Sequence, residues 1–286
     1  MPYLILVSFI WGFSFIIIKG TLTSLDSNFV SLVRMVLSFL VFIPFLRPAH
    51  VRFADKLRLA MIGGIQFGLM YVAYVACFQY IPAHVAALLT TTTPLFVTLF
   101  NDLLKREFNR RFLVAAVLAV TGGAIIKLPD DTLHSALYGV ALLQLSNIAF
   151  AWGQVAYKKL MDARPNLRDR DVFGFLYGGA VIITGIFFLS SVGNTLLEVR
   201  PAQWLALVYL GVIASGICFF LWNLGGRKVT AGTLAVMNNL KIPVGVIAGL
   251  VFLKESADYL TLIAGCLFFA AALWVNGRAK TSKQSG

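Results

Sequence analysis

Lys241 stands inside an apolar run, three residues after Asn238, two after Asn239 and two before Pro243. An ammonium at the centre of a bilayer costs about 2.5–3.5 kcal/mol even on insertion scales, so this lysine must face a wet cavity, find a partner or stay uncharged. A second polar patch, Thr90-Thr91-Thr92-Thr93, precedes Pro94 in another apolar run. A helical proline removes one backbone hydrogen bond and orphans a carbonyl three or four residues back. The Thr and Asn side chains can satisfy that carbonyl or line a polar cavity, and the sequence leaves both readings open. An ammonium among amides and hydroxyls is chemistry for receiving an anionic group such as a carboxylate.

Other residues could join such a cavity. Trp11-Gly12 with Ser14, Tyr74, Asn147 and Trp152-Gly153 all fall in apolar runs. A Trp-Gly pair lets a large ring lie against a close helix crossing, so packing is the competing account. Gln66, Gln79, Gln144, Gln154 and Asn223 form a wider polar set that interhelical hydrogen bonds explain equally well. Arg34 comes early in its run, where its head can reach the membrane interface as an anchor or act as a gate. Pro94 and Pro243 are read as structural or gating positions. His84 has no second His or Cys beside it, which argues against a metal site. No paired-Asp, HExxH, Ser-His or Walker arrangement occurs, so the chain reads as a non-enzyme without a cofactor.

The composition says what surrounds these groups. The 286 residues are 59% hydrophobic and 13% charged, about half the charge of a soluble domain. Mean hydropathy is +0.84. A chain this poor in polar residues could not cover a soluble core, and its partner is the lipid bilayer. The net charge of +12 lies in short basic runs between apolar stretches, which suits an anionic membrane surface and not nucleic acid. Cys77, Cys218 and Cys266 are isolated in apolar runs and read as packing residues.

Crossing about 30 Å of hydrocarbon takes about 20 apolar residues as helix. Ten runs qualify, roughly 3–22, 29–47, 59–79, 83–103, 111–128, 135–157, 172–192, 203–223, 230–252 and 258–276. Alternate connections hold 18 of the Lys and Arg residues, among them Arg47, Arg58, Lys105, Lys159, Arg164, Arg227 and Lys280. The other connections hold four: Lys19, Lys127, Arg200 and Lys254. That asymmetry predicts cytoplasmic N- and C-termini. Residues 158–171 read as a charged cytoplasmic linker whose role is lipid-headgroup attraction.

The two halves echo each other. Ala151-Trp152-Gly153 repeats Ile10-Trp11-Gly12 at a distance of 141 residues, and Val229 to Val236 resembles Ile81 to Leu88 at 148. After each of the latter come a polar patch, a proline and a closing Lys and Glu (Lys105 to Glu107; Lys254-Glu255). A repeat of five spans must be inverted, and inverted repeats place the site between the halves near the midplane. Thr90 and Thr91 then correspond to Asn238 and Asn239, and the two patches are expected to face one another.

Trp11-Gly12-Phe13-Ser14-Phe15 with Lys19, Arg34-Met35, and the Ala-rich helix, polar patch, proline and terminal Lys of the fourth and ninth spans resemble the EamA-type drug/metabolite transporters. One departure is Lys241-Ile242-Pro243, where that family often has Glu just before the proline. The resemblance implies an all-α integral membrane protein of ten transmembrane helices in two inverted five-helix repeats, 1–128 and 135–276, with a basic cytoplasmic tail at 277–286. It implies a secondary transporter of the cell inner membrane working by alternating access.

The expected cargo is an amino acid or related carboxylate, moved outward. The expected substrate-binding residues are Lys241, Asn238, Asn239, Thr90, Thr91, Trp11, Ser14, Tyr74, Asn147 and Trp152. The alternative is an organic-anion or phosphate-ester exchanger with Lys241, together with Arg34, as its anion clamp. A channel is disfavoured because nothing resembles a filter or ring of charge. The protein is expected as a monomer or homodimer.

Overall fold

The computed structural model describes residues 2–105, 114, 117–118, 121, 133–191, 198–229, 237–254 and 258–281. Those residues fold into helices and short connections. We number the helices α1 (Pro2–Leu22), α2 (Ser27–Phe45), α3 (Phe53–Cys77), α4 (Ala83–Leu104), α5 (Leu133–Asp162), α6 (Asp169–Ser191), α7 (Pro201–Arg227), α8 (Met237–Phe252) and α9 (Tyr259–Thr281). Seven of them, α1 to α7, are long and apolar enough to cross a membrane by length and composition. In hydrocarbon only a helix or closed barrel satisfies every backbone group, which is why the apolar runs become helices. The expected span 111–128 falls almost wholly outside the described residues, as do Lys127, Glu107 and Glu255, and residues 230–236 of the ninth span.

Several helices run beyond their apolar stretch. α3 starts at Phe53, not near residue 59, and α5 continues through Lys158, Lys159 and Asp162. Hydropathy marks the hydrocarbon depth, whereas the helical backbone keeps its hydrogen bonds into the polar interface. The connection between α5 and α6 is correspondingly short. Some charges there are paired: Arg164 Nε donates to Asp55 Oδ2 at 2.9 Å, and Arg227 Nη1 lies 2.8 Å from both Asp169 oxygens. Tyr157 adds a hydrogen bond of 2.7 Å to Asp169. These bonds clamp α3, α5, α6 and α7 at one end, so the linker does more than attract lipid headgroups. At the opposite end, Gln203 of α7 donates to Thr21 O in the last turn of α1 and to Ser24 Oγ between α1 and α2.

Packing partners come in matched sets. α1 lies against α8 and α7, while α5 lies against α4 and α3. α2 packs on α7 as α3 packs on α6, and the pairs α2–α6 and α4–α8 complete the arrangement. The α3–α6 crossing is close because Gly63 and Gly179 meet it with bare backbone: a Cβ on Gly179 would stand 1.8 Å from Ala60 O, and one on Gly63 2.0 Å from Leu176 O. Small residues of this kind let helices approach where lipid supplies no hydrophobic drive. The expected Trp-Gly crossings also occur, with Gly12 against Val244 and Gly153 against Gln66.

Candidate functional site

Three helices contain π-helical turns: Ile18–Leu22 in α1, Gly64–Leu69 in α3 and Tyr209–Ile217 in α7. A π-turn shifts the hydrogen-bond register and leaves carbonyls for other donors. In α7 side chains take them. Ser38 Oγ donates to Gly211 O at 2.8 Å, Trp11 Nε1 to Ala214 O at 2.9 Å, and the Tyr177 hydroxyl reaches Ser215 O and Gly216 O at 2.6 and 3.0 Å. The widened turn therefore ties α1, α2, α6 and α7 together around one central space.

That space is a cavity of about 60 Å³. Trp11, Ser14 and Phe15 of α1, Arg34 of α2, and Met70, Tyr71 and Tyr74 of α3 line one part. Thr90 and Thr93 of α4, Ser146, Asn147 and Phe150 of α5, Phe219 of α7 and Lys241 of α8 line the rest. The volume suits a few water molecules and is smaller than an organic metabolite, so binding one requires the helices to separate. Trp11 packs on Phe219 and Trp222 with ring centroids 4.7 and 4.9 Å away, forming an aromatic floor.

Arg34 is the main correction to the sequence reading. It is 1% exposed and reaches no interface. Its Nη2 donates to the Tyr71 hydroxyl at 2.8 Å and its Nε to Ser215 Oγ at 3.2 Å, while Ser215 Oγ donates to Tyr71 at 3.0 Å. Nη1 is buried without a hydrogen-bond partner. Arg34 comes early in α2, but its side chain turns into the bundle. Tyr71 and Ser215, far away in sequence, supply the acceptors that make this possible. Neither was singled out from the sequence; the helical spacing of Tyr71 and Tyr74 was the available signal, since residues three apart share a face.

Lys241 lies at the start of the main segment of α8, just after a turn at Leu240. Its Nζ donates to Asn238 Oδ1 at 3.1 Å and sits 5.3 Å from the Trp11 ring centroid. No carboxylate pairs with Lys241 or Arg34 among the described residues. Asn238 is buried but serves Lys241 and does not line the cavity; Asn239 does not line it either.

The threonine patch divides in the same way. Thr90, Thr91 and Thr92 form a tight 3-10 turn before Pro94, and their hydroxyls donate to the carbonyls of Ala87, Leu88 and Leu89 at 2.7, 2.7 and 3.0 Å. The hydroxyls thus bond carbonyls five to seven residues before Pro94 and not the ones the proline orphans; Thr90 O accepts instead from the Thr93 backbone N–H, while Thr90 and Thr93 line the cavity. Thr91 does not line it. Asn147 donates through Nδ2 to Leu89 O and Thr92 Oγ1, and accepts from Thr93 Oγ1. Trp152 lies elsewhere, in a largely apolar cavity of about 550 Å³ with Met61, Phe100 and Leu160. Trp11, Ser14, Tyr74, Thr90, Asn147 and Lys241 are thus brought together, and Asn238, Asn239, Thr91 and Trp152 are not.

A multi-pass helical bundle with a charged and aromatic cavity at its centre is the framework of a membrane transporter and holds no catalytic constellation among the described residues. The chain belongs to the EamA-like transporter family, which it matches at residues 1–128 and 137–277. A Pseudomonas aeruginosa protein named probable biotin transporter is 40% identical over 96% of this chain and 97% of its own. The biotin transporter of Escherichia coli strain K12 is 37% identical over 96% and 92%. A threonine/homoserine exporter of Salmonella typhimurium, RhtA, is 23% identical over 85% and 80%. A chain of known crystal structure superposes with a TM-score of 0.64 at 16% identity, covering 96% of each chain, which speaks to the fold alone. The protein is a small-metabolite transporter of the membrane and not an enzyme.

Proposed function

We propose that this transporter carries biotin or a closely related ring-bearing monocarboxylate and holds the carboxylate at Arg34. The observation that carries the reading is Arg34 Nη1, a buried guanidinium nitrogen without a partner, on a residue that lines the cavity. A carboxylate would complete its hydrogen bonding and neutralise a charge that no Asp or Glu of the lining neutralises. Biotin adds an apolar ring and tail, which suit Trp11, Phe15, Phe150 and Phe219. The relatives at 37–40% identity carry the same substrate in their names. Outward movement of amino acids is supported by more distant relatives, such as the exporter RhtA at 23% identity. Lys241 in the same cavity favours, as a second reading, a substrate with two negative charges such as a phosphate ester.

The matched packing sets and the two family matches support a pair of inverted repeats, 1–128 and 135–276, rocking about the cavity in alternating access. The asymmetry of basic loops supports inner-membrane insertion with both termini, and the 277–286 tail, in the cytoplasm.

Counterflow into liposomes containing the purified chain tests the proposal, with labelled biotin and labelled threonine measured in parallel. Biotin should exchange, threonine should not, and Arg34→Gln should lower biotin exchange at least about tenfold. Threonine exchange without biotin exchange would restore the amino-acid reading. Equal biotin exchange by Arg34→Gln would remove the carboxylate from Arg34, and strong competition by a phosphate ester would favour the two-charge reading.

A further inference from the structure

We propose that Ser14, Thr90 and Thr93 are the specificity-determining residues of this cavity, acting as hydroxyl acceptors for neutral N–H groups of the substrate. This rests on the reading that the substrate's carboxylate sits at Arg34. A hydroxyl has one proton and two lone pairs, so where its proton goes decides what it offers a ligand. Ser14 Oγ donates to Ile10 O at 2.9 Å, and Thr90 Oγ1 to Ala87 O at 2.7 Å. Thr93 Oγ1 donates to Asn147 Oδ1 at 3.2 Å. All three line the cavity with their protons committed to the protein, and each presents only lone pairs to a bound molecule.

Asn147 sets the direction of the last of these bonds. Its Nδ2 protons are held by Leu89 O at 3.2 Å and Thr92 Oγ1 at 3.0 Å, which fixes Oδ1 as the acceptor facing Thr93. Asn147 is therefore a positioning residue, and the cavity meets Thr93 with its acceptor side.

Arg34, whose Nη1 has no hydrogen-bond partner, and Lys241 line the same cavity as donor residues. A matching substrate has an anionic end for the donors and N–H groups for the acceptors. An α-amino acid carries its N–H groups as an ammonium. The Arg34 guanidinium, with no carboxylate in the lining to offset it, repels that charge in a site of low dielectric. A cyclic urea or amide offers N–H donors without charge. Hydroxyl acceptors paired with cationic donors thus select ureido- or amide-bearing monocarboxylates over zwitterions, and over fatty or dithiolane acids that lack N–H.

The test is competition against labelled biotin in proteoliposomes of the full chain, with thermal-shift binding to the purified protein alongside. The probes are dethiobiotin (ureido group and carboxylate intact), lipoate (carboxylate and apolar ring, no N–H) and biotin methyl ester (ureido group intact, carboxylate masked). Dethiobiotin should compete within a few-fold of biotin, and lipoate at least about tenfold more weakly, since a site built for N–H donors rejects analogues that leave it unpaired. Thr90→Val, Thr93→Val and Ser14→Ala should weaken biotin while leaving lipoate unchanged, so the discrimination narrows. Lipoate competing as well as biotin overturns the acceptor proposal and leaves the carboxylate reading standing. Methyl ester competing as well as biotin overturns the carboxylate reading instead. Undiminished discrimination in all three variants would take the role away from these residues. Should a variant fail to fold, the probe series in the unaltered protein still decides. Failure of biotin itself to exchange or to shift the protein overturns both proposals, and failure of dethiobiotin to compete overturns the acceptor proposal.

Discussion

The Arg34 guanidinium carbon lies 4.3 Å from the centroid of the Tyr71 ring while Arg34 Nη2 donates to the Tyr71 hydroxyl at 2.8 Å. Tyr71 thus offers the cation both its π-face and its oxygen, and α2 and α3 are joined deep in the bundle. With Ser215 of α7 as a third member, the group holds a guanidinium with two nitrogens bound and Nη1 without a partner.

Arg34→Lys should fail to replace the arginine, because an ammonium is a point donor that cannot reproduce the planar fork spanning Ser215, Tyr71 and the cavity. Biotin counterflow should fall at least about tenfold at equal protein content. Retention of the unaltered KM would refute this geometry.

Tyr71→Phe removes the acceptor shared by Arg34 and Ser215. A buried donor left unsatisfied costs about 1–3 kcal/mol, more when charged. The variant should melt at a lower temperature in detergent and bind substrate more weakly; thermal unfolding and counterflow read the two effects separately.

Gly179→Ala places a Cβ 1.8 Å from Ala60 O, and since that atom is backbone, α3 and α6 must move apart. The expected loss is about 1–3 kcal/mol or more. Gly178→Ala is the control, as its Cβ meets nothing closer than Phe39 Cε2 at 3.7 Å. Comparable melting of the two variants would contradict the close crossing.

Trp11→Phe keeps an aromatic ring against Phe219 but loses the 2.9 Å bond to Ala214 O in the π-turn of α7. Stability should drop by about 1 kcal/mol. Transport turnover should change as well, because the bond links α1 to α7 beneath the cavity. Unchanged melting and unchanged turnover together would show that this carbonyl does not depend on Trp11.

Much of this architecture is written locally in the chain. Apolar run length marked where α1 to α7 lie, because lipid demands a helix wherever a run is long enough, although α3 and α5 continue into polar sequence that hydropathy does not mark. Trp11-Gly12 and Trp152-Gly153 announced two close crossings, since a missing side chain beside a large one has few other uses in a membrane. Lys241, Thr90, Asn147, Ser14, Tyr74 and Trp11 were recognised by their cost: polar or bulky groups inside apolar runs need a reason to be there.

The sequence alone determined that this chain is a helical membrane transporter and which polar residues had to be accommodated. Only the tertiary structure decided their assignments. Arg34 reads as an interfacial residue in one dimension, but Tyr71 and Ser215, brought from other helices, give its guanidinium partners deep inside. Asn238, Asn239 and Thr91 read as cavity residues, but helical rotation turns each away or commits it to a neighbour. The physical reason is common to all of them. Cost in hydrocarbon depends on residue type and is legible from sequence, whereas the direction of a side chain and the partner that satisfies it depend on which helices pack together.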